Sequence, residues 1–126
     1  MAIIQNILIV DDSPTERYYL TDILVKNGFT VTTAENGEEA LARIKAQKPQ
    51  LILMDVVMPG ANGFQVTRAI ARDPELADVP IIICSSKNQE TDRIWGLRQG
   101  ARGYLVKPVD PQALLEMIAA LGEALP

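Results

Sequence analysis

Apolar residues in this chain fall in short unbroken blocks rather than in strict alternation. Ile7-Leu8-Ile9-Val10, Leu51-Ile52-Leu53-Met54, Ile81-Ile82-Ile83-Cys84 and Tyr104-Leu105-Val106 are bounded by polar or turn-forming residues. A strand covered on both faces reads this way, because neither of its alternating side-chain sets meets water. Thr30 to Ala34 is a weaker fifth strand, carried by β-branched Val31, Thr32 and Thr33. Helical spacing fills the intervals. Ser13-Pro14-Thr15-Glu16 reads as a capping box with Pro14 at the first helical position, opening a helix that runs to Asn27 and stops at Gly28. A second helix opens at Asn36-Gly37-Glu38-Glu39, with Ala40, Leu41 and Ile44 as its apolar face. A third covers about Phe64 to Arg72, before Asp73-Pro74, and a fourth about Glu90 to Gln99, before Gly100. The fifth opens at Asp110-Pro111 and lines up Leu114, Leu115, Ile118 and Leu121.

Strands and helices therefore alternate five times. That order predicts an α/β domain with a parallel sheet and helices on both faces. Sites in such sheets form beyond the carboxyl ends of the strands, where the strand order switches. Residues 1–126 read as one domain, with no linker, internal repeat or low-complexity stretch, and only one helix follows Lys107. No separate output domain is expected.

Composition changes this picture by exclusion. With 126 residues, 48% of them apolar, the chain can close a core without disulfides or a structural metal. The single cysteine, Cys84, sits inside an apolar block and reads as a small core residue. A net charge of -4 with no basic stripe argues against nucleic acid and against a membrane surface. No stretch approaches the roughly 20 apolar residues of a membrane span. The apolar start lacks a basic leader and runs into Asp11-Asp12, so a cytoplasmic location is expected. The absence of histidine removes Ser-His-Asp and Cys-His catalysis, histidine-ligated zinc and a histidine phosphoacceptor.

What chemistry remains falls at one end of the sheet. Asp11 and Asp12 follow the first strand, Asp55 the third, Ser85 the fourth and Lys107 the fifth. Any one alone is explained as a solvated strand end; five of complementary type point to one site. Three carboxylates brought together repel, and a cation must offset them. Only hard oxygen donors are on offer, which suits Mg²⁺, or Mn²⁺ in its place. Asp12 and Asp55 are expected as direct ligands and Asp11 partly through water, with the backbone carbonyl of Val57 completing the sphere. A carboxylate beside such an ion can attack phosphorus and form an acyl phosphate, with catalysis mainly by positioning and charge neutralisation. Lys107 would supply a point charge and Ser85 a hydroxyl donor for a phosphoryl oxygen. Pro108 stiffens the turn, and the Lys107-Pro108 bond is a candidate for the cis form.

Taken in order, Asp11-Asp12, Asp55, Met58-Pro59-Gly60 with Gly63, Ser85 and Lys107-Pro108 resemble the signature of bacterial response-regulator receiver domains over essentially the whole chain. The resemblance implies a flavodoxin-like sheet of order 2-1-3-4-5, phosphorylation on Asp55 and a histidine kinase of the CheA type as donor. That accords with the missing histidine, which would lie in the partner. Asp11-Asp12-Ser13-Pro14-Thr15-Glu16, Ser86-Lys87-Asn88-Gln89-Glu90-Thr91-Asp92-Arg93, Trp95-Gly96 and Arg98-Gln99-Gly100-Ala101-Arg102 are similar to the stand-alone PilH-type receivers of type IV pilus chemosensory systems. A downstream protein, such as a pilus motor or its regulators, is then the implied target.

The family resemblance also implies a readout. Ser85 and Tyr104 would couple the pocket to a face formed by the fourth helix, fifth strand and fifth helix, and phosphorylation would shift a population rather than the fold. Trp95 in the fourth helix reads either as a core anchor or as a partner contact on that face. Gly96 beside it suggests a soft helix. Val57 and Lys87 stand where the family tunes dephosphorylation; Val57 has no group to orient a water, so slow self-dephosphorylation is expected. Two other readings compete. One is a phosphate sink that drains a kinase. The other is an aspartate-nucleophile phosphohydrolase, whose nucleophile would instead end the first strand in an Asp-x-Asp arrangement.

Overall fold

The computed structural model describes residues 3–124. Its elements alternate as the apolar blocks require: β1 (Asn6–Val10), α1 (Pro14–Lys26), β2 (Thr30–Ala34), α2 (Gly37–Ala46), β3 (Leu51–Met54), α3 (Gly63–Arg72), β4 (Ile81–Ser85), α4 (Glu90–Arg98), β5 (Gly103–Val106) and α5 (Pro111–Ala124). The five strands are parallel, in the order β2-β1-β3-β4-β5. This is the flavodoxin-like arrangement, and its order reverses between β1 and β3.

The continuous apolar blocks are explained by two cores, one on each face of the sheet. Leu8, Val10, Ile52, Met54, Ile81 and Ile83 point to the side covered by α2, α3 and α4. Ile7, Ile9, Leu51, Leu53, Ile82 and Cys84 point to the side covered by α1 and α5. β2 lies at an edge, and its mixed burial explains its weaker pattern.

Helix starts follow local hydrogen bonding. Ser13 accepts from the Glu16 amide at 3.3 Å, Asn36 from the Glu39 amide at 2.8 Å, and Asp110 from the Ala113 amide at 2.9 Å. At α1 the expected capping box is only half made. The Ser13 amide donates instead to Asp11 Oδ1 at 2.9 Å, so the helix cap also orients a carboxylate of the candidate site.

Two expectations change. Leu41, expected on the apolar face of α2, is 38% exposed, and Gly37, Ala40 and Ile44 carry the burial. Gly96 is not a softening residue. A Cβ there would lie 2.8 Å from Ile83 Cδ1 and 3.2 Å from Tyr104 Cδ2, so glycine lets α4 approach the sheet closely. Trp95 beside it is 50% exposed, which removes the core-anchor reading.

Candidate functional site

The sheet brings Asp11, Asp12, Asp55, Ser85 and Lys107 to its carboxyl end. Asp11 follows β1 directly and its amide donates to Ala34 O at 3.0 Å, while the Asp55 amide donates to Val10 O at 2.9 Å. These ladder-like bonds fix the two backbones side by side across the switch in strand order. Arg17 adds a further hold from α1, donating to the Asp11 carbonyl at 2.7 Å while pairing with Glu35 at 3.2 Å. Arg17 was missed in the sequence because its role depends on the turn that aims α1 back at β1.

One carboxylate oxygen each from Asp11, Asp12 and Asp55 can be chosen so that all lie within 4.8 Å of one another. Asp11 and Asp55 are buried and Asp12 is exposed. Lys107 Nζ spans the buried pair, at 2.7 Å from Asp11 Oδ2 and 3.2 Å from Asp55 Oδ1. The Lys107-Pro108 peptide is cis.

These charges perturb one another. Burial, and then the neighbouring Asp11 carboxylate, raise the Asp55 pKa above its ordinary value, with Lys107 only partly offsetting them. For Lys107, burial works against the charged form, but hydrogen bonding and charge from Asp11 and Asp55 win and hold its pKa up. One ammonium thus pairs with two of the three carboxylates, and the cluster keeps a surplus of negative charge.

Hard oxygens, close spacing and a surplus of negative charge form a donor set that fits a divalent cation such as Mg²⁺. Asp11, Asp12 and Asp55 would hold it, and bound there it would supply charge neutralisation for an incoming phosphoryl group. The raised Asp55 pKa has a consequence for binding. Protons compete with the ion at a higher pH than they would at an exposed aspartate. The expected result is that Mg²⁺ affinity falls as pH is lowered from neutrality, by at most about tenfold per unit for one displaced proton. Calorimetric titration between pH 7.5 and 5 checks this; constant affinity over that range would refute it.

Ser85 and Tyr104 meet at one backbone segment. Ser85 is fully buried and its Oγ accepts from the Lys87 amide at 3.1 Å. The Tyr104 hydroxyl donates to the Lys87 carbonyl at 2.8 Å. Burial raises the Tyr104 pKa, and contact with the Ser85 hydroxyl partly counters it. Both side chains thus bond to Lys87, one at its amide and the other at its carbonyl. Val57 stands at the rim, 60% exposed, on a cleft of about 370 Å³ shared with Met58, Asn62, Phe64, Lys87 and Trp95.

The geometry of acid cluster, lysine and hydroxyl at the switch point agrees with the sequence comparisons. The response regulator receiver domain family matches residues 7–119. The chain belongs to that family. Protein PilH of Pseudomonas aeruginosa is 56% identical over 116 residues, which cover 92% of this chain and 96% of that protein. The phosphate regulon transcriptional regulatory protein PhoB of the same species is 38% identical over 93% of this chain, but over only 51% of its own length. Among solved structures, chemotaxis protein CheY4 of Vibrio cholerae superposes with a TM-score of 0.87 at 31% identity, covering 94% of this chain and 98% of that one. A CheY-like receiver domain protein of Methanospirillum hungatei gives 0.86 at 29%, covering 95% of each. As a receiver domain, this chain is a signalling protein of the phosphorelay type. Such domains bind Mg²⁺, are phosphorylated by histidine kinases and act on downstream targets. Among the described residues, no helix is long and apolar enough to cross a membrane.

Proposed function

We propose that this receiver is a stand-alone response regulator that accepts a phosphoryl group on Asp55 and uses it to switch a protein-binding face. The observation that carries this reading is the clustering of the Asp55 carboxylate with Asp11 and Asp12, bridged to Asp11 by the Lys107 ammonium, at the switch in strand order. An Asp55 carboxylate oxygen forms the bond to phosphorus as the phosphorus–nitrogen bond of a donor phosphohistidine breaks, its electron pair returning to the imidazole. Asp11, Asp12 and Asp55, with the Val57 carbonyl, would hold the cation, which would neutralise charge on the transferring group. Lys107 and Ser85 meet the developing phosphoryl oxygens.

Lys107 must leave at least one carboxylate to do this, and Ser85 Oγ must turn from the Lys87 amide. The second movement disturbs the segment that Tyr104 holds. Tyr104 then relays the change to α4, β5 and α5. Ile94, Trp95, Leu97 and Val106 expose apolar surface on those elements, which suits a partner contact. The partners proposed are a CheA-like kinase and a downstream protein of type IV pilus-dependent motility. That assignment rests on the surface-helix resemblance together with the 56% identity to PilH. The setting proposed is the cytoplasm.

Incubation with Mg²⁺ and acetyl phosphate, followed by intact-protein and peptide mass spectrometry, tests the acceptor. One phosphoryl adduct is expected, on the peptide carrying Asp55, and none in Asp55→Asn or without the metal. An adduct that persists in the variant would refute the reading. The apolar Val57 side chain at the rim offers no group to orient an attacking water, so the adduct should decay over minutes or longer once the donor is removed. Decay within seconds would contradict that part.

A further inference from the structure

A second charged feature lies at the opposite pole of the molecule. Helices in this fold run antiparallel to the strands, so the carboxyl ends of α3 and α4 sit at the edge of the sheet away from Asp55. Between them is an open cleft of about 360 Å³ lined by Arg68, Ala71, Arg72, Arg98, Gln99 and Gly100. Gly100 has a φ of +114°, and a Cβ there would press on Ala71, so the two helix ends are held close and the cleft floor is fixed.

The three arginines are exposed, and among the described residues none is within ion-pair distance of a carboxylate. Elsewhere Lys48 pairs with Asp78 at 2.9 Å and Arg93 with Glu90 at 2.6 Å, while Lys45, Lys87 and Arg102 also have no carboxylate within ion-pair distance among the described residues; what sets Arg68, Arg72 and Arg98 apart is that they line one cleft. Arg72 and Arg98 lie in last helical turns, where a cation complements the helix dipole. That does not account for Arg68, one turn earlier and on the same face as Arg72. Three guanidiniums lining one cleft, with no acidic side chain in its lining, make a local positive site on a chain of net charge -4.

We infer that the α3–α4 cleft docks an acidic segment of a partner protein through Arg68, Arg72 and Arg98. The ends of both helices present carbonyl oxygens with partial negative charge, which disfavours a compact phosphate seated on the cleft floor. Carboxylates offered from outside meet the guanidinium forks first and can be gripped two oxygens at a time. No aromatic side chain lines the cleft to stack a base. A local positive site on an acidic protein would also set the orientation of an acidic partner more than its raw affinity. The inference is independent of phosphorylation at Asp55.

A titration of ¹⁵N-labelled protein with hexaglutamate, hexaglutamine and pyrophosphate at low salt, repeated with Arg68→Gln/Arg72→Gln and with Arg98→Gln, tests it. All three positions are exposed, so the variants should keep a native spectrum. Hexaglutamate is expected to give saturable shifts at Ala71, Gln99 and Gly100 but not at Asp55. Its apparent affinity should fall about tenfold in the double variant and on raising the salt to physiological strength. Hexaglutamine should give none. Shifts spread evenly over Lys26, Lys45 and Lys48, or unchanged in the variants, would overturn the site. Tighter saturable binding of pyrophosphate at the same amides would overturn the ligand class, making the cleft a small-polyanion site.

Discussion

Without metal, Asp55→Asn should melt at a higher temperature than the parent, and Lys107→Met at a lower one. The two substitutions act on one charge inventory from opposite sides. Asp55 is buried beside Asp11 and its pKa is raised, so at neutral pH its ionised form opposes folding. The sign follows from proton counting. Between the unfolded value of 3.8 and the raised folded value, the native state binds more protons than the unfolded chain. Asp55 therefore opposes folding least at and below pH 3.8, increasingly above it, and fully once the pH exceeds the raised folded value. The amide of asparagine removes that opposition, an expected gain on the order of 1 kcal/mol. Lys107→Met does the reverse, leaving Asp11 and Asp55 facing each other without a counter-charge. Orphaning fully buried charges costs about 3–5 kcal/mol, and water reaching this rim should reduce that to on the order of 2 kcal/mol. Mg²⁺ should restore most of the loss in Lys107→Met, because the ion takes over the missing charge, and should do little for Asp55→Asn. Thermal melts with and without Mg²⁺ read all four values. A Lys107→Met protein as stable as the parent without metal would remove the basis for treating these groups as one cluster.

Much of this could be anticipated from the sequence because the decisive residues are strand-ending and the strands announce themselves. Apolar blocks such as Ile81-Ile82-Ile83-Cys84 need cover on both sides, and that requirement fixes a parallel sheet with helices on each face. Once the sheet is parallel, every residue just past a strand lies at the same end, so Asp11, Asp55, Ser85 and Lys107 converge with no further information. The features that escaped prediction depend on distances between elements distant in sequence. Gly96 looks like a flaw in a helix until Ile83 and Tyr104 are seen beneath it. The sequence leaves Trp95 open between a core anchor and a partner contact, and only its 50% exposure decides against the core. Arg17 serves the Asp11 carbonyl from α1, and nothing in its local sequence says so. Arg68, Arg72 and Arg98 look like ordinary helix-surface cations until the two helix ends are placed side by side.

The other large effect is expected at Gly63, which the sequence marks only as one member of the family signature. Its amide donates to Val56 O at 2.8 Å, and a Cβ there would overlap the Asp55 carbonyl oxygen and lie 2.9 Å from Val56 Cα. The obstruction is backbone, not the free end of a side chain, so rotamer changes cannot relieve it. Gly63→Ala must push α3 outward or drag the Asp55–Val56 peptide away from the site. Phe64, Val66 and Ile70 on α3 belong to the core beneath, so displacing the helix also loosens that packing. Overpacking of this kind typically costs about 1–3 kcal/mol, and a backbone obstruction belongs at or above the upper end. Urea denaturation should show the loss with an unchanged slope if the variant still folds cooperatively. A folded Gly63→Ala protein should also bind Mg²⁺ more weakly, because the peptide that moves carries Asp55. By contrast, Gly60→Ala, in the loop before α3, has open space around its Cβ and strain only from a φ of +78°. It should lose about 1 kcal/mol and keep its metal affinity. Equal effects at the two glycines would mean that the loop, rather than the contact of α3 with the Asp55 carbonyl, sets the position of the acceptor.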